Sequence, residues 1–267
     1  MAAFRWTDRD IRQAFLGLAF IFAVLAKPAT ADDNGLVDTV AEVKKGVVGV
    51  GTFQGIRQPQ SLLMGSGFAI GSGLHVLTNY HVVADHLQPV NKEYLVVLVG
   101  RGQQFEPREA EVVADDPVHD LALLKISGEP LPALDLGSRQ IMAREGQGVA
   151  LTGYPIGPVY GLYSVTHRGI IAAVTPNVIP QAQARLLDPN VIRQRRYDVY
   201  QLDITAYPGN SGSPLYDQGT GRVVGILNSA FVKGTKETAL TDPSGISFAI
   251  PIKYAFPMLD RAEVLKR

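Results

Sequence analysis

The stretch PGNSGSP (208–214) sets Ser211 among small, turn-forming residues. Glycine and proline break helices and central strands, so the segment is a bend. A serine there is either an ordinary loop residue or an exposed nucleophile, and the second reading needs a base from elsewhere in the chain. Five histidines are the candidates. His75 lies in the strand-like run LHVLT, His86 in a polar turn and His167 at the start of a strand. His119 is beside Asp120, but neighbouring residues on a strand point to opposite faces. His81 differs. TNYHVVAD ends a strand and turns through the histidine into a short helical turn, where an imidazole is held by a scaffold yet open to a cleft. A carboxylate to orient it comes from DDPVHDLALLKI. Asp115 and Asp116 precede a proline and suit a turn, whereas Asp120 opens an apolar strand, where a buried carboxylate needs a partner. Together Ser211, His81 and Asp120 have the chemistry of nucleophile, general base and orienting acid. Singly, each also fits a structural role as turn serine, capping histidine or strand-end aspartate.

The elements that must position these residues are strands. From about residue 40 the chain alternates short apolar runs with glycine, proline and polar turns. GVVGVGTF, GSGFAI, LHVLTN, YLVVLVG, REAEVVADD and LALLKI form a first set. QGVALTGYP, YSVTHRGIIAAV, DVYQLDITA, SPLYD, GRVVGILNSAF and GISFAIP form a second. This spacing predicts an all-β fold of two barrels, the first over 38–130 and the second over 131–255, with a hinge near 127–140. Gly71–Gly73 supplies a hairpin turn. Residues 176–196 carry no period and read as a surface loop. The tail, 256–267, reads as a short helix interrupted by Pro257, and residues 32–45 as a short, mostly polar segment.

Composition narrows the class. The chain has 267 residues, 46% apolar and 19% charged, with 25 basic and 25 acidic side chains. That balance offers no field for nucleic acid, and RQRR (193–196) reads as a solvated loop. Arg5, Arg9 and Arg12, the apolar run AFLGLAFIFAVLA (14–26) and the small residues Ala29 and Ala31 predict a signal peptide over 1–31. The alternative is a retained membrane anchor, although the run is shorter than the ~20 residues of a spanning helix. With no cysteine, an exported domain of this size suits a bacterial periplasm or secretion. No H-E-x-x-H or cysteine pair points to a metal, and the glycines of GSGFAIGSG miss the dinucleotide spacing. No cofactor or metal is expected.

TNYHVV, HDLALLKI and GNSGSPL, in that order, resemble the three catalytic blocks of chymotrypsin-like serine proteases. The likeness is to the disulfide-free HtrA (DegP)-like protease domain, with some similarity to glutamyl endopeptidases, and GISFAIP adds to it. The resemblance implies two six-stranded antiparallel barrels with the active site in the cleft between them. It implies a triad of His81, Asp120 and Ser211, an oxyanion hole at Gly209, Asn210 and Ser211, and protein or peptide substrates. Its primary pocket would be built from Thr205, Ala206, Tyr207 and Pro208 with Asn228, Ser229 and Ala230. No carboxylate at Thr205 argues against Lys or Arg specificity, and Asn228, where glutamyl endopeptidases carry histidine, argues against Glu. His167 could reach the pocket from another strand, and small or medium aliphatic side chains are the expected preference. Asn210, where digestive relatives carry aspartate, disfavours activation through a new N-terminus. No PDZ domain is expected after FAIP; a homo-oligomer or regulatory partner stays open. The competing reading is a catalytically silent or latent binding or chaperone-like protein of the same fold.

Overall fold

The computed structural model describes residues 34–84, 92–155, 161–177, 197–228 and 246–265. The predicted leader, His86, the RQRR cluster, and Ser229 and Ala230 lie outside them. Strands β1 (Val47–Phe53), β2 (Ser61–Ile70), β3 (His75–Thr78), β4 (Tyr94–Arg101), β5 (Gln104–Asp116) and β6 (Leu121–Ile126) close a barrel in the order β1-β2-β3-β6-β5-β4. Strands β7 (Gly148–Gly153), β8 (Val165–Pro176), β9 (Asp198–Leu202), β10 (Pro214–Asp217), β11 (Val223–Asn228) and β12 (Ser247–Pro251) close a second, ordered β10-β11-β12-β9-β8-β7. Every named strand pair is antiparallel. The expected two-barrel, all-β architecture is the one observed, and closure leaves neither sheet a free edge.

The LALLKI run is nearly all apolar because both faces of β6 are covered. Leu124 and Ile126 pack with Val48, Val50, Val76 and Val97 inside the first barrel. Leu121 and Leu123 point the other way, against Val223, Ile226 and Ile250 of the second. β4 divides likewise, Leu95 and Val97 facing inward and Val96 and Leu98 meeting Ala150, Leu162 and Tyr216. Full burial of one such side chain contributes about 1.5–3 kcal/mol, so the two barrels share a continuous apolar contact.

Two α-helices flank the barrels among the described residues. α1 (Asn34–Gly46) covers the segment read as short and polar. Leu36, Val40 and Val43 recur at helical spacing on one side; Val43 is buried and Leu36 packs against the interbarrel cluster. Lys44 and Lys45 fall in its last turn, where cations oppose the helix dipole. In α2 (Phe256–Arg261), Pro257 lies in the first turn. There a missing N–H costs nothing, so the proline starts the helix and does not interrupt it. Among the described residues no helix is long and apolar enough to cross a membrane.

Candidate active site

The histidine is placed by the end of β3. After Thr78 the chain enters a single 3-10 turn, Tyr80–Val82, preceded by fully buried Asn79. Asp120 holds this turn from the β5–β6 link. Its carbonyl accepts the Tyr80 N–H at 3.1 Å and the Asn79 side-chain amide at 3.0 Å. Its carboxylate accepts the His81 N–H at 2.8 Å through Oδ1 and meets His81 Nδ1 at 2.6 Å through Oδ2. The imidazole is therefore fixed at Nδ1 and the opposite edge, Nε2, is left for chemistry. Asp120 adopts φ +52°, in the left-handed region that aspartate enters more readily than most side-chain-bearing residues do.

The serine sits on two consecutive tight turns between β9 and β10. The Asn210 N–H donates to Tyr207 O at 3.0 Å, with Pro208 and Gly209 between them and Gly209 at φ +97°. That is the signature of a type II turn, with proline first and glycine second. A Cβ on Gly209 would also lie 2.4 Å from Tyr154 O. The next turn closes from Ser213 N to Asn210 O at 3.0 Å, with Gly212 at φ +85°. Gly212 N and Ser213 O then bond to Leu227 of β11, tying the loop to the second barrel.

Ser66 on β2 fastens the same loop to the first barrel. Its N–H donates to Ser211 O at 2.8 Å and its hydroxyl to Gly209 O at 2.8 Å, while that hydroxyl accepts the Tyr154 N–H at 2.9 Å. The histidine turn arrives at the same place. A Cβ on Gly65 would lie 2.8 Å from Val82 Cγ2 and 2.9 Å from Ser211 O. Ser211 and the turn carrying His81 thus meet across Gly65, one from each barrel. Nothing in GSGFAI marked Ser66 beforehand; its role exists only once the barrels meet.

Two of the expected site residues make contacts that the sequence did not suggest. Asn228, placed in the primary pocket, turns its amide to Asp120 and donates to Oδ2 at 2.7 Å. At the end of β11 it faces the neighbouring barrel, where a carboxylate offers a stronger partner than an open pocket does. Asn210, expected among the oxyanion donors, commits its N–H to the turn and is itself fully buried. Thr205, Ala206, Tyr207 and Pro208 form a half-buried segment leading into the serine turn. His167 reaches that segment from β8, its ring 5.9 Å from the Tyr207 ring. Burial pushes His167 below its ordinary range, and its Nε2 has no partner among the described residues. Asp116 does serve a turn, accepting the N–H groups of Val118 and His119. Among the described residues no three His, Asp or Glu side chains converge as metal ligands would.

A sequence pattern described as a trypsin-like peptidase domain matches residues 65–226, the span that carries His81, Asp120 and Ser211. The chain belongs to the trypsin-like peptidase family. The resemblance seen in TNYHVV, HDLALLKI and GNSGSPL is borne out by that match, and serine peptidase is the class of enzyme it expected. A protein of Pseudomonas fluorescens named "Probable periplasmic serine endoprotease DegP-like" is 34% identical over 202 residues, covering 76% of this chain and 35% of the relative. One of the same name from Ectopseudomonas mendocina is 32% identical over 240 residues, covering 90% of this chain and 44% of its own length. The chain therefore spans less than half the length of these relatives. Among solved structures, the active form of the Rv3671c protease from M. tuberculosis aligns with a TM-score of 0.62 and 27% identity, covering 90% of this chain and 88% of that one.

Proposed function

We propose that this trypsin-like peptidase is an exported serine endopeptidase acting through Ser211, His81 and Asp120. The observation that carries the reading is the doubly bonded His81–Asp120 pair, presented by one barrel to the serine turn of the other. Ser211 Oγ attacks the scissile carbonyl as His81 Nε2 takes its proton. The tetrahedral intermediate collapses to an acyl-enzyme when the same imidazole protonates the leaving amine. Water, deprotonated by His81, then releases the acyl group. Asp120 holds the tautomer and stabilises the imidazolium, and the Asn228 amide restrains the carboxylate. The N–H groups of Gly209 and Ser211 receive the oxyanion, each such donor contributing about 3–4 kcal/mol to the barrier reduction. Consistent with that role, the Gly209 N–H has no acceptor among the described residues.

The primary pocket lies along Thr205–Pro208 and takes small or medium aliphatic side chains, since that segment offers neither a carboxylate for a basic side chain nor a cation for an acidic one. The charged start and apolar run of the N-terminus, with relatives named as periplasmic, support action on proteins outside the cytoplasm. Proteolysis of unfolded casein by the protein and by Ser211→Ala, with the cut sites mapped by mass spectrometry, tests the reading. Cleavage by the native form alone is expected, with aliphatic residues before the cut bonds. If neither form cleaves and a serine-directed phosphonate leaves Ser211 unlabelled, the protein is a binding module of this fold.

A further inference from the structure

The link 116–120 carries a second histidine–carboxylate pair that the proposed mechanism leaves unused. His119 Nδ1 meets Asp116 Oδ2 at 2.7 Å. The His119 ring lies flat on Tyr254, with centroids 4.6 Å apart and 13° between planes, and meets Tyr197 edge-on at 4.7 Å. The two tyrosines touch each other at 5.3 Å. Tyr197 leads into β9 and Tyr254 follows β12, so both belong to the second barrel, whereas His119 belongs to the first. The Tyr254 hydroxyl is itself held, accepting the Asp198 N–H at 3.2 Å. The Tyr197 phenol is pushed up to about 12 by burial and then by the negative charge of Asp120, so its ring also lies within the field of that carboxylate.

Asp120, the next residue, is at φ +52°. Aspartate tolerates that region as a single residue, and the contacts around it favour the conformation further. The grip on its carbonyl comes from Asn79 and Tyr80, both in the first barrel. From the barrel bearing Ser211, the Asn228 amide holds the Asp120 carboxylate, and Tyr197 and Tyr254 hold the ring of the residue before it.

From this juxtaposition we infer that His119 is a positioning residue for the reaction. By locking the 116–120 link onto Tyr197 and Tyr254, it keeps Asp120, and through it His81, in register with Ser211 across the cleft. The inference rests on the peptidase reading above. Without the lock the link relaxes, the carboxylate rotates relative to Nδ1, and the transition state loses more than the bound substrate does.

The test compares the native protein with His119→Ala, His119→Phe, Tyr254→Leu and the His119→Ala/Tyr254→Leu double variant. It measures kcat and KM on a mapped peptide, the rate of phosphonate labelling at Ser211, and thermal unfolding. His119→Ala should lower kcat and the labelling rate about tenfold to 100-fold, the scale of a small misplacement of reacting groups, with KM within about twofold. His119→Phe, which keeps both ring contacts, should restore kcat to within about threefold of native. The double variant should be no worse than its more damaging single, as for residues acting through one contact. If His119→Ala unfolds, His119→Phe and Tyr254→Leu carry the comparison. Native kcat in His119→Ala beside a lowered Tm would reduce His119 to packing and overturn the inference. So would failure of His119→Phe to restore activity. A native protein that neither cleaves nor labels would overturn the peptidase reading and this inference with it.

Discussion

Three groups converge on the carboxylate of Asp120: the His81 N–H, His81 Nδ1 and the Asn228 amide. Together they leave it one orientation, which is what a proton-transferring imidazole requires of its partner. Removing the amide by Asn228→Ala should cost a charge-assisted hydrogen bond of about 1.5–3 kcal/mol, part of it felt in the transition state. The expected result is a fall in kcat of about tenfold with little change in KM, read on the mapped peptide. Gly209→Ala is a harsher change. It forces a side chain into φ +97° and drives a Cβ to 2.4 Å from Tyr154 O. The turn must then re-form without its glycine geometry, and kcat should fall at least about 100-fold, the range for loss of an oxyanion donor. Retention of the native unfolding temperature to within a few degrees would place the damage in the turn and not in the fold.

At the scale of elements, one polar cluster holds the entry to β4 against β1. Glu93 is buried, and its carboxylate accepts the Thr52 hydroxyl at 2.6 Å and pairs with Arg57 Nη1 at 2.7 Å. Arg57 in turn donates to the carbonyls of Thr52 and Gln60, bracing the β1–β2 loop. Deleting one partner of such a pair leaves an uncompensated charge in a poorly solvated place. Arg57→Met should therefore destabilise by about 3 kcal/mol in urea unfolding, whereas Lys45→Met, which breaks the exposed pair with Glu42, should change stability by under about 0.5 kcal/mol. The contrast between these two ion pairs is one of burial, since their lengths, 2.7 and 2.6 Å, are nearly equal.

For the whole molecule, acid is the expected weakness. Burial pushes His75 below its ordinary value of 6.5, with the positive charge of Lys125 adding to the effect, and burial does the same for His167. Both bind protons less readily folded than unfolded. Their contribution to stability is complete above about 6.5 and is lost as the pH falls through that value, because the unfolded chain takes up protons first. Hydrogen bonds from Gln147, Thr220 and Gly219 outweigh burial and hold Asp217 below the usual carboxylate range, and Arg139 does so for Asp260. These act in the same direction but near pH 3.8 and below. Thermal unfolding followed from about pH 7 to about pH 5 should show a falling Tm, and His167→Leu should flatten that slope.

The strands, the turns and the residues proposed as reactive were legible in the sequence. Alternating apolar runs and glycine-bearing turns obey local rules, so β1 to β12 and the bend at Ser211 were legible from nearest neighbours in the chain. The pairing of His81 with Asp120 was suggested as well, because the histidine follows the end of one strand, the aspartate opens another, and a buried carboxylate requires a partner. Helix α1 was missed, since only Val43 among its residues is fully buried before its closing Gly46 and its outer face is charged. What reaches from one barrel to the other emerged from the packing alone. Ser66 grips Gly209 over a separation of 143 residues, and Asn228 grips Asp120 over 108. His119 finds Tyr197 and Tyr254 from the opposite barrel. Contacts between the barrels depend on how two closed sheets pack, and no local pattern in either one encodes the residue it will meet on the other.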